Sequence, residues 1–437
     1  MDFDRLPNHV CLQIVHDLPF DQQIRLARVS RRFEEISRLA ISQTKLFNLT
    51  DDAFRSDSNG SYPKRLIKER LKIASKFDYP RLTAIKLVFS MYVHVEPIIA
   101  FELLRNCPNL RQLEWSYPPT EFPDITCPKI EVVDIEYCTS EFFKSLFDRC
   151  PNINSISVEM HRSVKQWEFV WNEFFEKKPE IHAVKMSSQL QREGDPSTEL
   201  EWEKMPSFWQ VRCLKSLTII DMNVTGPTIA KISASFPLLQ SIFLIGGAAA
   251  RLSSGQDIGY LSNLTCLREL FIYRFRIPDP DVGIFSIACK CTKLEVVRLF
   301  YPLSKETFSA FVRNCPQLRR LYCSKVSNIL SRAAAEEFVN SLGYFPQKNL
   351  LIDSLNDGGI WMSKQVQAAV EMVNRQADGR CIKISADRWQ EKSLDSESVS
   401  DVENELHENG GEIMITKPHF LKRMINGICC WLQKLSC

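Results

Sequence analysis

The sequence predicts an α/β chain built mainly as a solenoid, a horseshoe of short parallel strands inside and helices outside, with three helices ahead of it. Three observations carry this. Between Leu82 and Cys323 one phrase recurs ten times: an apolar residue, two variable residues, an apolar residue, one variable residue and a third mostly apolar residue. The copies begin at Leu82, Leu110, Ile130, Ile153, Ile181, Leu214, Leu239, Leu267, Leu294 and Leu318. They lie 20 to 33 residues apart, the period of an array in which each unit buries its apolar side against its neighbours. Seven copies carry a proline two residues ahead of the first apolar position (Pro80, Pro108, Pro128, Pro151, Pro179, Pro237 and Pro316), where it ends a helix and starts an extended segment. Residues 6–41 lack the phrase and show helical spacing instead.

In that first segment Val10, Ile14 and Leu18, with Cys11 and Val15, recur at helical spacing after Leu6-Pro7-Asn8 and stop near Pro19. Asp21 is placed to cap a second helix carrying Ile24 and Ala27, and Ser30 a third with Phe33, Ile36 and Ala40 on one face. The run from Leu6 to Ala40 resembles an F-box: Leu6-Pro7, Ile14-Val15, Leu18-Pro19, the acid Asp21, Ile24, Leu26 and then Val29-Ser30-Arg31-Arg32-Phe33. It departs mildly at Ser30, where cysteine is common, and at Phe33, where tryptophan is common.

Residues 50–64 are polar and rich in turn formers, as a linker is. The phrase array that follows resembles leucine-rich repeats of the ribonuclease-inhibitor type. Beyond Cys323 it decays: Leu350-Leu351-Ile352 and Cys381-Ile382-Lys383-Ile384 read as strands of two degenerate terminal repeats, with a helix from Val366 to Val373 between them. Arg388 to Glu412 holds eight acids against two bases, with four interspersed serines, and reads as disordered. From Lys417 a basic amphipathic helix is expected, with Phe420, Leu421, Met424, Ile425, Ile428, Trp431, Leu432 and Leu435 on its apolar side. The division is therefore 1–48 F-box, 49–76 linker, 77–385 leucine-rich-repeat domain with degenerate C-terminal cap repeats, 386–412 acidic segment and 413–437 amphipathic helix.

Composition excludes several function classes. A net charge of +2, with bases and acids intermixed, gives no reason to expect nucleic acid. No apolar run is long enough to span a bilayer, and Met1-Asp2-Phe3-Asp4-Arg5 does not open a secretory signal, so an intracellular chain, cytoplasmic or nuclear, is expected. Five of the fifteen cysteines (Cys107, Cys127, Cys150, Cys291 and Cys315) share one slot, three residues ahead of the first apolar position. One slot per repeat means one packing role rather than disulfide or zinc chemistry. No phosphate-binding glycine loop, nucleophile elbow, metal-binding histidine pair or dinucleotide fingerprint is present, so no catalytic residue, metal or cofactor is assigned.

Strand alternation sends the residues between and after the later apolar positions of each phrase away from the core. The second to fourth copies display Gln112, Glu114, Asp134, Glu136 and Glu159, and the seventh to tenth display Phe243, Phe271, Tyr273, Arg298, Phe300, Arg320 and Tyr322. Aromatic and arginine side chains dominate interface energetics, which makes the second group the expected target-binding face. Loops folded over the rings, or a register slip of one residue, are the competing explanations. Gly246 to Ala250 admits either a flexible loop or the close approach of a partner.

The F-box resemblance implies adaptor contacts through Leu6, Pro7, Val10, Ile14, Leu18, Ile24, Leu26, Val29 and Phe33. With the repeats it implies a non-catalytic substrate-recognition subunit of an SCF-type (Skp-cullin-F-box) ubiquitin ligase. Its partners would be a Skp-type adaptor, a cullin scaffold reached through that adaptor, and a protein target held by the repeats. A Skp-bound scaffold without ubiquitin transfer fits the same residues. For the C-terminal helix, docking on the open end of the array competes with lipid binding through Lys417, Lys422, Arg423 and Lys434, with Cys429-Cys430 as acylation sites. Docking is preferred because a repeat array needs a cap. Removal of residues 413–437 is expected to lower solubility or melting temperature and to leave the partition between soluble and membrane fractions unchanged. A shift from membrane to soluble fraction at constant stability would favour the lipid-bound arrangement.

Overall fold

In the computed structural model, residues 6–18, 20–27, 29–50, 71–88, 96–160, 164–188, 202–222, 224–246, 251–324, 350–355 and 382–385 are described. Residues 51–70 of the expected linker, residues 247–250, the helix from Val366 to Val373, the acidic segment and the C-terminal helix lie outside them; the last residues of the expected linker are described and are helical at 71–74, with Leu71 and Ala74 buried. The chain divides into two units, described separately: residues up to Lys45 with Lys76–Leu82, and Leu46–Ser75 with Thr83–Arg388.

The first unit holds α1 (Asn8–His16), α2 (Phe20–Ala27) and α3 (Arg31–Gln43). The apolar face of α1 (Cys11, Ile14 and Val15) meets Phe33, Ile36 and Ala40 of α3, with Leu18 and Leu26 closing the cluster. Each such burial contributes about 1.5–3 kcal/mol. Helix α3 starts where Ser30 predicts, its Oγ accepting from Phe33 N at 3.3 Å. Helix α2 begins at Phe20, so Asp21 sits inside its first turn rather than at the cap. Arg32 ties the two ends of the cluster together, donating to Asn8 Oδ1 at 3.0 Å and to the carbonyl of Leu6.

In the second unit thirteen strands form one sheet in chain order, β1 through β13, and each strand pairs parallel with the next. The first is β1 (Leu46–Thr50), followed by β2 (Ala84–Val88), β3 (Gln112–Ser116), β4 (Val132–Cys138) and β5 (Ser155–Met160). Then come β6 (Ala183–Ser188), β7 (Ser216–Ile220), β8 (Ser241–Ile245), β9 (Glu269–Tyr273) and β10 (Val296–Pro302). The last three are β11 (Arg320–Ser324), β12 (Leu350–Leu355) and β13 (Ile382–Ser385). From β2 to β11 every strand begins two residues after the first apolar position of a phrase, and none of the thirty apolar phrase positions is more than 4% exposed.

Register is set by a repeated joint. The carbonyl one residue after the first apolar position accepts two successive backbone N–H groups from the next copy. Thr83 O accepts from Arg111 N at 2.8 Å and Gln112 N at 2.9 Å, and the same fork recurs at each copy through Glu295 O, which accepts from Arg319 N and Arg320 N. The second apolar positions consequently align strand to strand, Ile85 with Leu113 and Leu113 with Val133, continuing through Leu321 with Ile352. The sheet also begins earlier than the first phrase: β1 pairs with β2, and Phe47 lies opposite Ile85 in a stretch read from sequence as the module's end and the linker's start.

Helices on the buried side complete the core. The helix Ser140–Arg149 presents Phe142, Phe143, Leu146 and Phe147 to it, and Thr139 caps it by accepting from Phe142 N. Rings pack through successive repeats: Trp115 with Phe142, Phe143 with Trp171, Phe175 with Phe208 and Phe208 with Phe236, at centroid distances of 4.7–5.9 Å. Cys107, Cys150, Cys291 and Cys315 lie at the ends of such helices, whereas the connection that carries Cys127 holds no helix. Cys107 Sγ donates to Leu103 O at 3.1 Å and Cys315 Sγ to Cys291 O at 3.5 Å, while Cys127 is only half-buried. Burial pushes the Cys107 and Cys291 thiols up to about 12, and no disulfide joins the described cysteines.

Glycine sets the spacing where the helix Pro280–Lys290 crosses the short helix Gly255–Gly259. A Cβ on Gly283 would lie 2.0 Å from Gly255 O and 2.8 Å from Gly259 N. Gly283→Ala in an open helix would stabilise by about 1 kcal/mol. Here overpacking against backbone is expected to reverse the sign, with a net loss of about 1–3 kcal/mol and a lower melting temperature. A rise in melting temperature would show that these helices do not approach so closely.

Candidate functional site

The helical unit does not display all of its expected anchors. Ile14, Leu18, Leu26 and Phe33 are 5% exposed or less and belong to the unit's own core, which corrects their expected role as displayed contacts. The same periodicity that marks a contact face also marks the face buried between α1 and α3. Leu6 and Val10 pack half-buried at the edge of this core, whereas Pro7 is exposed and Val29 is 42% exposed. Ile24 lies on α2, with its side chain outside the described residues. Leu39 on α3, 48% exposed, was not singled out from sequence. Its signal is being out of phase with Phe33, Ile36 and Ala40.

On the sheet, the side opposite the helices carries the residues that alternate with the buried phrase positions. Its central row runs Lys86, Glu114, Asp134, Ser157, Lys185, Thr218, Phe243, Phe271, Arg298 and Tyr322 in strand register. The register expected from sequence therefore holds, and a one-residue slip is excluded.

The early part of this face is acidic. Gln112 is exposed, while Glu114, Asp134, Glu136 and Glu159 are half-buried. Glu114 pairs with Lys86 at 2.8 Å, and burial still raises its carboxyl. Glu136 accepts from Ser116 Oγ. Burial, then the Glu136 charge, pushes Glu159 up to about 7 against the opposing influence of Lys185 and a Tyr137 hydrogen bond. Beside these acids Tyr117 stacks on Tyr137, with centroids 4.1 Å apart.

Both tyrosines have left-handed backbone, φ 54° and 55°, as do Asp221 at 54° and Arg274 at 58°. All four stand seven residues after a first apolar position, in the last residues of a strand or just past it. Tyr117 N donates to Glu136 O at 3.0 Å and Asp221 N to Ile245 O at 2.9 Å, so the strained residue extends the ladder by one bond. Gly246, in the same slot, donates to Tyr273 O at 2.8 Å and fills it with the residue type best suited to such a turn.

The later part of the face is aromatic. Tyr273 and Phe300 lie 4.1 Å apart, Phe271 is 5.9 Å from both Phe243 and Phe300, and Arg298 sits over the Tyr322 ring at 4.7 Å. Phe243, Tyr273, Phe300, Arg320 and Tyr322 are half-buried. Phe271 and Arg298 are only 9% and 7% exposed, which corrects their expected display. Phe271 lies on the outward side of the sheet but beneath its neighbours' rings. Among the described residues no group of three His, Cys, Asp or Glu side chains is placed to hold a metal ion.

The F-box-like family matches residues 3–40, the span of α1, α2 and most of α3. No curated protein matches the chain. Among solved structures, the chain is similar to one described as the crystal structure of the Rad7 and Elc1 complex in yeast. The two are 16% identical, with a TM-score of 0.49, over 82% of this chain and 91% of that one.

The acidic end makes stability depend on pH. Between its ordinary value of 4.5 and about 7, folded Glu159 keeps a proton that the unfolded chain has released, so stability falls as pH rises through that window. Asp221, pushed up to about 6 by burial against the Arg274 charge, adds to the fall at the lower end. Glu159→Gln is expected to flatten this dependence and to stabilise the chain at pH 7.5 by on the order of 1 kcal/mol. Urea unfolding at pH 5 and 7.5 checks it; an unchanged pH slope would contradict the assignment.

Proposed function

We propose that this chain is the substrate-recognition subunit of an SCF-type ubiquitin ligase, docking on a Skp-type adaptor through α1–α3 and holding a protein target on the outward face of the sheet. The observation that carries the proposal is the F-box-like match over residues 3–40, which falls on the three-helix unit. The ten-phrase array, taken as leucine-rich repeats of the ribonuclease-inhibitor type, supplies the target-holding part. Its outward face concentrates four aromatic side chains and two arginines between β9 and β11, the composition expected of an interface centre. In this scheme the chain contributes proximity. Tethering a target near a ubiquitin-conjugating enzyme on the cullin scaffold replaces a bimolecular encounter by a high effective concentration, and no group of this chain reacts. The setting is the cytoplasm or nucleus.

Adaptor contact is assigned to the exposed Pro7 and Val29, with Leu39 beside them in the proposal, rather than to the buried Ile14, Leu18, Leu26 and Phe33. Pro7→Ala keeps the carbonyl that accepts from Val10 N and Cys11 N at the start of α1. The double variant Pro7→Ala with Val29→Ala is therefore expected to keep its melting temperature and to lose on the order of tenfold in adaptor affinity. Ile14→Ala should lower stability and binding together. Full adaptor capture by the folded double variant would overturn the docking face. Retrieval of the adaptor without cullin, and no target accumulating when the chain is deleted, would make it a scaffold instead.

A further inference from the structure

Arg298 occupies the central outward row between Phe271 of β9 and Tyr322 of β11. A long cationic side chain on that side of a sheet ordinarily carries its charge to water, yet Arg298 is only 7% exposed. Its Nε is buried without a hydrogen-bond partner, and among the described residues no carboxylate pairs with the guanidinium. Elsewhere in the array arginines are matched across repeats, Arg268 with Glu295 at 3.0 Å and Arg111 with Glu131 at 3.5 Å. The carboxylates nearest in sequence to β9 and β10 are already engaged, Glu295 by Arg268 and Glu269 by Ser241 Oγ at 3.0 Å. The Tyr322 ring offsets only part of the cost of removing this charge from water.

We infer that Arg298 is the anchor for an oxyanion on the bound target, a carboxylate or phosphoryl group carried on an extended peptide segment, with the rings of Tyr273, Phe300 and Tyr322 taking the apolar surface beside it. The inference rests on the proposed function only in making a peptide the carrier. A guanidinium held over a ring still has several N–H donors, in a fork that matches two oxygens of one anion. Low exposure strengthens that pairing and penalises a neutral ligand, which would leave the charge unmatched. The acids of the early face, Glu114, Asp134, Glu136 and Glu159, lie on β3 to β5, five or more strands from β10, which is about 24 Å or more at the usual strand spacing, while the central row continues past Tyr322 to Asp353 of β12, two strands from Arg298.

The test uses the full chain, wild type and Arg298→Met, with phenyl phosphate, benzoate and neutral benzyl alcohol as probes, read by thermal melting and calorimetric titration. Without probe, Arg298→Met is expected to melt at or above wild type, because the substitution removes an unpaired buried charge; an arginine that served the fold would make the variant melt lower. One or both aromatic anions should raise the wild-type melting temperature, benzyl alcohol should not, and affinity should fall at least tenfold in Arg298→Met. The better anion identifies the source, a phosphorylated side chain if phenyl phosphate and a carboxylate if benzoate. A lower-melting Arg298→Met, a wild type indifferent to both anions, or an equal response to benzyl alcohol would overturn the inference. Adaptor capture by the same wild-type protein separates the two claims: its failure would sink the proposed function and leave the anion result standing, whereas its success without an anion effect would sink this inference alone.

Discussion

A single carbonyl at the entrance to each strand governs the second unit. By accepting two successive N–H groups from the following copy, as Glu131 O does from Asn154 N at 2.9 Å and Ser155 N at 3.1 Å, it fixes where the next strand starts. A parallel ladder has no tight hairpin to set its register, so something else must. Here the fork does so at the backbone, and the three apolar positions of each phrase reinforce it from below. Once Ile85, Leu113, Val133 and Ile156 are aligned, the intervening residues have no choice of side.

The outward face follows from that constraint. Because connections between strands range so widely in length, the chain absorbs variation in its helices and loops while the rows stay in step. Glu114 and Asp134 end up side by side, as do Phe243 and Phe271, although each pair is separated by 20 or more residues of sequence. Like groups are concentrated at each end. The acids raise one another's carboxyls, as Glu136 does Glu159, and the rings cover one another until Phe271 is nearly lost from the surface. The left-handed turns at Tyr117 and Asp221 belong to the same system, exchanging local backbone strain for one more bond along the ladder.

Much of this was legible in the sequence because it is periodic. The phrase predicted every strand from β2 to β11 and the side on which each residue falls; the shared cysteine slot predicted packing at helix ends for four of its five members, Cys127 lying in a connection without a helix; Ser30 predicted the start of α3. What escaped was aperiodic or depended on what lies above a position rather than on which side it faces. Strand β1 was missed because Thr44 stands where the phrase demands an apolar residue, although Phe47 and Leu49 keep the other two places. Alternation placed Phe271 and Arg298 outward but carries no information about the rings that cover them. Ile14 and Phe33 fit a family contact pattern and also the module's own core, and spacing alone does not separate the two. The approach of Gly283 to Gly255 involves helices from different repeats, which no local pattern records.

The central claim, that strand parity in a fork-locked parallel register determines core and face, is tested most directly at two adjacent residues. Ile156 is 1% exposed at a second apolar position, and Ser157 is half-buried on the outward row between Asp134 and Lys185. The measurement is the unfolding free energy of Ile156→Lys and of Ser157→Lys in the full chain. The account predicts that Ile156→Lys loses about 4 kcal/mol or more, or fails to fold, because an unpaired charge enters the core, while Ser157→Lys stays within about 1 kcal/mol of wild type. Equal effects at the two positions, or a larger loss at Ser157, would contradict it.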